Sequence, residues 1–302
     1  MNAPINEENY TEKFAFVAPN SWDKILNGIR AADYEFGTNT KFIRLKQLNE
    51  ADLIEALENV IMTDVDGIIT AGAFDTEKMQ NVIKKAQNLG IPVVVVDSDI
   101  PKSGRNVYVG TNNYEAGVAA GKDLVEITGG NAHIGVVLSE LKATNQAERL
   151  EGLYETLRTH PDMQIVEVLE CHSNYLELAK KVPAMLNGHK EIDTLCFLDG
   201  STGSSLGHIL NYQFKAKENF SIVAFDDSDA TLDYVAKGIY ASTIVQKRYE
   251  EGYKAVETLY QIVHGLYDND EDILYTGVES IRANDVDTYK KGLGEKILWH
   301  YY

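Results

Sequence analysis

The sequence predicts an α/β protein built from two doubly wound sheets of mainly parallel strands. Short apolar runs alternate with amphipathic segments along almost the whole chain. Runs such as VVVV at 93–96 lack polar alternation, which is typical of strands that helices cover on both faces. The 302 residues hold two such series of strand–helix repeats, and each is long enough for one doubly wound sheet.

The first series begins close to the start of the chain. Its predicted strands are Lys13–Pro19, Phe42–Leu45, Gly67–Thr70 and Ile91–Val96. Its predicted helices are Trp22–Phe36, Ala51–Met62 and Glu77–Leu89. Helical spacing of apolar residues supports each helix, and Gly37 and Gly90 provide stop signals after the first and the third.

The second series starts after a short strand at Val107–Val109. Its predicted strands are His133–Leu138, Gln164–Leu169, Thr194–Leu198, Ser221–Phe225, Ala241–Val245 and Tyr275–Ile281. Its predicted helices are Tyr114–Ile127, Ala147–Thr159, Tyr175–Leu186 with an interruption at Pro183, Ser204–Tyr212, Ala230–Lys237 and Arg248–Val263. The last helix follows a complete second sheet, so it could return to the first domain. No sequence repeat indicates an internal duplication.

Charge excludes one large class of partners. The chain carries 28 Lys and Arg against 46 Asp and Glu, for a net charge of −18. So acidic a surface repels phosphate backbones, which argues against a nucleic-acid partner. The same repulsion argues against anionic membrane surfaces.

The two cysteines, Cys171 and Cys196, are too few for a disulfide scaffold or a cysteine-rich zinc site. We expect two free thiols, since the expected strand order separates them. No apolar run reaches the ~18 residues that span a membrane. The first dozen residues are polar and lack the apolar run of a signal peptide. We therefore expect either a cytoplasmic protein or the mature form of an exported one.

Polar and aromatic residues follow the predicted strands, where ligands of parallel α/β sheets bind. The candidate ligand-binding residues are Asn20, Ser21, Trp22, Phe74, Asp97, Ser98, Asn145, Arg149, Tyr175, Asp199, Asp226 and Gln246. This set contains no nucleophile–base pair and no metal-ligand spacing, so we predict no catalytic residue, no metal and no cofactor. Carboxylates, amides and a guanidinium suit a ligand rich in hydroxyl groups, and aromatic rings suit the C–H faces of a sugar.

Each of these residues also has an ordinary structural interpretation. Asp and Asn after strands commonly form turns and helix caps. Trp22 could pack on its own helix, and Arg149 could be a solvated helix residue. Asp97 and Asp226 are better candidates, because each directly follows a fully apolar strand. A two-domain enzyme that uses a carboxylate pair such as Asp226 and Asp227 is a weaker alternative, since adjacent residues seldom converge on one substrate atom.

Five segments in order resemble the type I periplasmic binding proteins of the ribose/galactose kind, the sugar-binding components of ABC importers. The segments are DGIITAG, LGIPVVVVDSD, VYVGTNNYEAGVAAGKDL, NQAERLEGL and IVAFDDSDATLDYVAKGIYASTIVQKRYEEGYKAV. The resemblance covers nearly everything from Lys13 to about Tyr289. It implies two α/β lobes joined by three crossovers, with the ligand in a cleft between them. The lobes would be 1–109 plus 247–275 and 110–246 plus 276–302.

The resemblance also implies roles for particular residues. Asp97, Asp226 and Asp199 match the family's ligand-binding acids or amide. Arg149 matches the arginine that pairs with sugar hydroxyls, and Gln246 matches a glutamine near the hinge. The family's ligand-stacking aromatic residues fall on Trp22 and Tyr175.

Two departures argue against ribose itself as the ligand. Ribose-type members have Arg directly after the fourth-strand Asp, where this chain has Ser98, and the paired aromatics after the first strand are reduced to Ser21-Trp22. Another pentose, a hexose, a polyol or a signalling furanose fits as well.

The resemblance implies a monomeric, extracytoplasmic protein that closes on its ligand and presents it to an ABC permease. It would lie in the periplasm or be a cell-surface lipoprotein. A sensor kinase or chemoreceptor is the alternative partner. Repressors with the same core carry a basic DNA-binding segment before it. Here the first strand starts near Lys13, so a repressor fits this sequence poorly.

Overall fold

The computed structural model of the chain describes residues 11–204, 206, 220–268 and 271–298. They form two compact units. The first unit runs to Thr111 and takes up the chain again at Lys247–Thr276. The second comprises Asn112–Gln246 and Gly277–Gly294. The resemblance described above implies crossings after residues 109, 246 and 275.

The first unit contains a six-stranded sheet in which every neighbouring pair is parallel. Its strands are β1 (Lys13–Pro19), β2 (Asn39–Leu45), β3 (Gly67–Ala71), β4 (Val93–Asp97), β5 (Val107–Thr111) and β11 (Ile273–Thr276). Their order across the sheet is β11-β5-β4-β3-β1-β2. The central strands β3 and β5 are buried along their whole length, because helices cover both faces.

Two apolar layers flank this sheet. The helices of the unit are α1 (Asp23–Phe36), α2 (Glu50–Ile61), α3 (Glu77–Asn88) and α8 (Arg248–Val263). One core cluster joins α2 and α3 to the sheet, and another joins α1 and α8 to its opposite face. Helix α8 therefore packs with the first unit although it follows the last parallel strand of the second.

The second unit repeats the same strand order with one change of direction. Its strands are β6 (Ala132–Leu138), β7 (Met163–Glu170), β8 (Thr194–Phe197), β9 (Ser221–Phe225), β10 (Ser242–Gln246) and β12 (Val278–Arg282). Their order is β12-β10-β9-β8-β6-β7, and only β12 is antiparallel to its neighbour among these strands. The helices are α4 (Asn113–Thr128), α5 (Thr144–Leu157), α6 (Tyr175–Gly188), α7 (Asp229–Ala236) and α9 (Val286–Leu298). None of the helices within the described ranges is long and apolar enough to cross a membrane.

The predicted fold class is confirmed, and β1 and α8 have the predicted bounds. The single strand predicted at Tyr275–Ile281 is wrong, because the chain changes units after Thr276 and forms β11 in one sheet and β12 in the other. Helix α6 also continues through Pro183, since apolar residues on both sides of it, Val182 and Met185 among them, are buried in one cluster. Helix α9 is not among the predicted elements.

The predicted helix Ser204–Tyr212 lies outside the described residues except at its first positions. In the described part, helix begins earlier, at Gly200. Cys171 and Cys196 are free and buried, as expected. Burial raises the pKa of the Cys196 thiol to about 12, and the nearby Asp123 carboxylate adds to this rise.

Candidate functional site

In the first unit, the carboxyl end of β4 holds Asp97 in an unusual conformation. Its φ is 72°, in the left-handed region that few residues other than glycine adopt. The hydroxyl of Tyr108 donates to the Asp97 carbonyl oxygen at 2.8 Å and helps to hold this turn. Gly72, after the neighbouring β3, has room only for a hydrogen atom, since a Cβ there would lie 1.5 Å from the Ser98 oxygen. The sheet edge is therefore closely packed around the Asp97 carboxylate.

An arginine that the sequence analysis did not select pairs with Asp97. The Arg248 Nη1 donates to Asp97 Oδ1 at 2.8 Å, and the side chains are 21% and 18% exposed. The same guanidinium lies 5.9 Å from the ring centre of Trp22, within cation–π distance. Asp97, Arg248 and Trp22 thus form one group with an acceptor, a donor and an aromatic face.

The other candidates of the first unit differ in whether they contact this group. Ser98 donates from its hydroxyl to Asp97 Oδ2 at 3.3 Å, so it belongs to the same group. Asn20 and Ser21 are exposed in the loop between β1 and α1. Phe74 is half-buried and packs against the core cluster on the α2 and α3 face, whereas Trp22 packs against the cluster on the opposite face. The structure therefore does not group Phe74 with Trp22.

In the second unit, a buried arginine occupies the carboxyl edge of the sheet. Arg149 is only 4% exposed. Its Nε donates to Asn113 Oδ1 at 2.9 Å and its Nη1 to the Leu198 carbonyl at 2.9 Å. Its carbon Cζ lies 4.1 Å from the ring centre of Phe225. A buried guanidinium needs such partners, and they fix its orientation.

Gln246 links this arginine to the carboxylate of Asp226. Arg149 Nη2 donates to Gln246 Oε1 at 3.1 Å, and Gln246 Nε2 donates to Asp226 Oδ1 at 2.7 Å. Asp226 has a φ of 63°, so it shares the left-handed conformation of Asp97. The two residues occupy equivalent places, since β4 and β9 are each third in their sheets. Arg149, Gln246 and Asp226 are therefore brought together as one network.

Three further candidates of the second unit have different surroundings. Asp199 precedes a helical turn, and its Oδ1 accepts from the Thr202 backbone N–H at 3.2 Å and hydroxyl at 3.0 Å. It also neighbours the network, because a Cβ on Gly200 would lie 2.3 Å from Asp226 Oδ2. Asn145 is half-buried in the first turn of α5. Tyr175 is 52% exposed at the start of α6, after the edge strand β7, and so lies apart from the central strands.

Two residues of these groups are absent from the predicted set. Asn113 begins α4 and Arg248 begins α8, in each case directly after a change of unit. The predicted set holds residues that closely follow strands. Arg248 is not in it, because it lies two positions beyond Gln246. Knowing that α8 returns to the first sheet would have placed Arg248 beside Asp97.

Hydrogen bonds and ion pairs hold both groups together. The first group pairs a carboxylate with a guanidinium directly, and in the second the Gln246 amide joins them. Both kinds of side chain can pair with hydroxyl groups. Within the described ranges, no cluster of three or more His, Cys, Asp or Glu could hold a metal ion. A cavity of about 680 Å³ in the first unit opens between β2 and α2, where Lys41 and Glu55, and none of the candidates, line it.

Comparisons with known proteins agree with this chemistry. A family model described as "Periplasmic binding protein domain" matches residues 15–266. The chain is 23% identical over 199 residues to the ribose import binding protein RbsB of Escherichia coli (strain K12), covering 66% of each protein. It is 26% identical over 226 residues to catabolite control protein A of Staphylococcus aureus, covering 72% of this chain and 62% of that protein. The chain thus spans just under two thirds of both curated relatives.

Solved structures match over nearly their whole length. GanP, a glucose-galactose binding protein from Geobacillus stearothermophilus, is 31% identical with a TM-score of 0.83, covering 91% of this chain and 98% of that one. A structure described as the XylFII-LytSN complex contains a chain that is 28% identical with a TM-score of 0.78, covering 91% of this chain and 98% of that one. The architecture and strand order therefore have close counterparts among solved proteins.

Proposed function

This chain belongs to the periplasmic binding protein domain family, and from that premise we propose that it binds a small polyhydroxylated ligand, a monosaccharide or a related polyol. The match extends over residues 15–266, which include every candidate ligand-binding residue. GanP, the 31% identical structure, is a glucose-galactose binding protein, and RbsB is a ribose import binding protein. Family and neighbours support a binding protein rather than an enzyme.

One observation carries the proposal: the Arg149–Gln246–Asp226 network at the carboxyl edge of the second sheet. A buried guanidinium and a carboxylate are held at the two ends of one neutral amide group. Because a hydroxyl group both donates and accepts, two neighbouring hydroxyls of a sugar can bond to this pair at once. The equivalent edge of the first sheet adds Asp97 and the indole of Trp22, whose face suits the C–H groups of a sugar ring.

The proposed action is closure of the two units on one ligand. A ligand that contacts both units stabilises the closed state and so shifts the population towards it. Binding alone performs the function, and the ligand is released unchanged.

The proposed partner is the permease of an ABC importer, with the protein acting as a monomer outside the cytoplasm. The alternative is a sensor kinase that detects the ligand-bound form, an interpretation that the chain in the XylFII-LytSN complex supports. The net charge of −18 argues against nucleic acid as the partner.

The central test is a binding panel with the purified wild-type chain. D-ribose, L-arabinose, D-glucose, D-galactose and D-mannitol are titrated by calorimetry, and the melting temperature is measured with each. We expect at least one to bind at one molecule per chain, to raise the melting temperature and to be recovered unchanged. At a hundred times the Kd, binding adds about 2.7 kcal/mol to the free energy of unfolding. A panel with neither heat nor a melting shift refutes the assignment.

A second test separates the two partners. The gene is deleted in the source organism, and uptake of the radiolabelled ligand is compared with ligand-induced transcription. If the chain serves an importer, uptake falls and is restored by a wild-type copy. If uptake is unchanged and only the transcriptional response is lost, the sensor alternative replaces the importer.

A further inference from the structure

Arg248 lies at an accessible part of the carboxyl edge of the first sheet. Its side chain is 21% exposed and that of its partner Asp97 is 18% exposed, so the pair lies where a ligand can reach it. Arg149 of the second unit is more deeply buried, at 4% exposed. The guanidinium of Arg248 joins the Asp97 carboxylate to the indole of Trp22.

Close contacts between helices show which residues of the two units are equivalent. In the first unit, a Cβ on Gly28 of α1 would lie 1.9 Å from the Tyr249 oxygen, and one on Gly252 of α8 would lie 2.0 Å from the Ile25 oxygen. In the second unit, a Cβ on Gly152 of α5 would lie 2.0 Å from the Tyr114 oxygen, and one on Gly117 of α4 would lie 1.9 Å from the Arg149 oxygen. In each of the four contacts, the carbonyl belongs to the residue three positions before the glycine of the partner helix.

This equivalence shows that the two units obtain their guanidinium from different helices. Arg149 lies three residues before Gly152, and the matching position before Gly28 is Ile25, which is buried and apolar. Arg248 lies four residues before Gly252, and the matching position before Gly117 is Asn113. Each sheet edge therefore carries one arginine, but the helix position that supplies it in one unit holds a different residue type in the other.

We propose that Arg248 is a ligand-binding residue of the first unit and determines which pattern of hydroxyl groups that unit accepts. The inference rests on the proposed function. Its guanidinium donates to one or more hydroxyls of the ligand. Neighbouring hydroxyls of the same ligand donate to Asp97. A planar guanidinium presents donors in a fixed geometry, so the pair discriminates between sugars that differ in the orientation of adjacent hydroxyls. The residue after the fourth strand, Ser98, carries no guanidinium. Arg248 provides one from α8.

The competing role for Arg248 is to neutralise and orient Asp97 without touching the ligand. The two roles differ in how a missing ligand hydroxyl affects the arginine variant. If Arg248 bonds to a particular hydroxyl, removing that hydroxyl from the ligand also removes the effect of the substitution. If Arg248 acts only through Asp97, the substitution weakens every analogue that still bonds to Asp97.

The experiment measures Kd for the wild type and Arg248→Ala with the best-bound sugar of the panel and its monodeoxy analogues. We expect Arg248→Ala to weaken binding of the parent sugar by about tenfold to a hundredfold, the range for hydrogen bonds made by charged groups. For one or two analogues, the wild type and the variant should bind within about threefold of each other. Lys247→Ala, a change at the adjacent exposed residue, should leave all affinities within about twofold.

Other outcomes overturn the assignment. Asp97→Ala is measured on the same analogues. If the effect of Arg248→Ala disappears for no analogue, or only for those on which Asp97→Ala also has no effect, Arg248 acts through Asp97, and an unchanged Kd shows that it has no part in binding. If far-ultraviolet circular dichroism shows that Arg248→Ala does not fold, Arg248→Lys is compared on the same analogues, because it keeps the charge and loses the forked geometry. A wild-type chain that binds no sugar refutes the proposed function itself, whereas wild-type binding without an arginine effect refutes only the role of Arg248.

Discussion

Asp97 and Asp226 keep a backbone conformation that costs free energy. A residue other than glycine in the left-handed region is destabilised by about 1–3 kcal/mol and persists where the surrounding structure holds it. Both aspartates directly follow a buried apolar strand, and each carboxylate bonds to a side chain from a distant element. The conformation turns the chain at the sheet edge and presents the carboxylate there, which suits the binding role that we propose for both residues.

Asp226→Asn tests that role at the level of one residue. Asparagine adopts the left-handed conformation well and can still accept from Gln246, so we expect the free energy of unfolding to change by less than about 1 kcal/mol. Loss of the charge should weaken sugar binding by about tenfold to a hundredfold, as measured by calorimetry. Asp229→Asn, at an exposed position three residues later, is the matched control. Equal affinities for Asp226→Asn and the wild type would contradict the role.

At the scale of the elements, each unit depends on one pair of helices that touch through glycines. Helices α1 and α8 approach so closely that the oxygen of Tyr249 lies where a side chain on Gly28 would begin. The same pairing joins α4 and α5. The contact fixes the starts of α8 and α5, from which Arg248 and Arg149 reach the sheet edges. Helix packing therefore positions the two arginines.

Gly28→Ala should disturb this packing strongly. Its methyl group would lie 1.9 Å from the Tyr249 carbonyl oxygen, so the two helices must move apart. We expect the free energy of unfolding to fall by about 1–3 kcal/mol or more, measured by denaturant titration. The control is Gly292→Ala in α9, where an added Cβ meets nothing within 4 Å among the described residues outside the helix's own backbone. The better helix propensity of alanine should raise stability there by about 0.5–1 kcal/mol. If Gly28→Ala were as stable as the wild type, close packing would not be the reason for this glycine.

At the scale of the whole molecule, one buried carboxylate holds the places where the chain leaves the first unit. Thr111 and Thr276 are the last residues of β5 and β11 before two of the crossings. Their hydroxyls donate to Glu251 Oε1 at 3.3 and 3.4 Å. Glu251 is fully buried and lies in the first turn of α8, just after the remaining crossing at Gln246. The ends of the connecting segments in the first unit are thus tied to a single side chain.

Glu251→Ala should loosen this arrangement. Two buried hydroxyls lose their acceptor, so we expect the free energy of unfolding to fall by about 1–3 kcal/mol. Small-angle scattering with saturating sugar should also show a smaller decrease in the radius of gyration than in the wild type, because the connections are less well defined. Glu250→Ala, which removes a partly exposed pair with Lys247, should change stability by less than about 1 kcal/mol. Equal effects of the two substitutions would show that the buried Glu251 stabilises the connecting segments no more than the partly exposed Glu250 does.

The sequence by itself determined the local structure and the character of the site. Periodicity predicted β1 and α8 with their observed bounds, and the apolar strands ending in Asp97 and Asp226 indicated two candidate acids at sheet edges. These features are readable because burial imposes its pattern over a few neighbouring residues. Charge and cysteine content likewise depend on composition alone, and they sufficed to argue against a nucleic-acid partner and a disulfide scaffold.

Only the tertiary structure decided which residues meet. Arg248 and Asp97 are 151 positions apart, and Arg149 and Gln246 are 97 apart. Such pairs depend on strand order and on where the chain crosses between units, which no local pattern records. The same cause split the predicted strand Tyr275–Ile281 into β11 and β12 and separated Phe74 from Trp22. Hydrophobic periodicity tells which face of an element is buried, but long-range packing selects its neighbours.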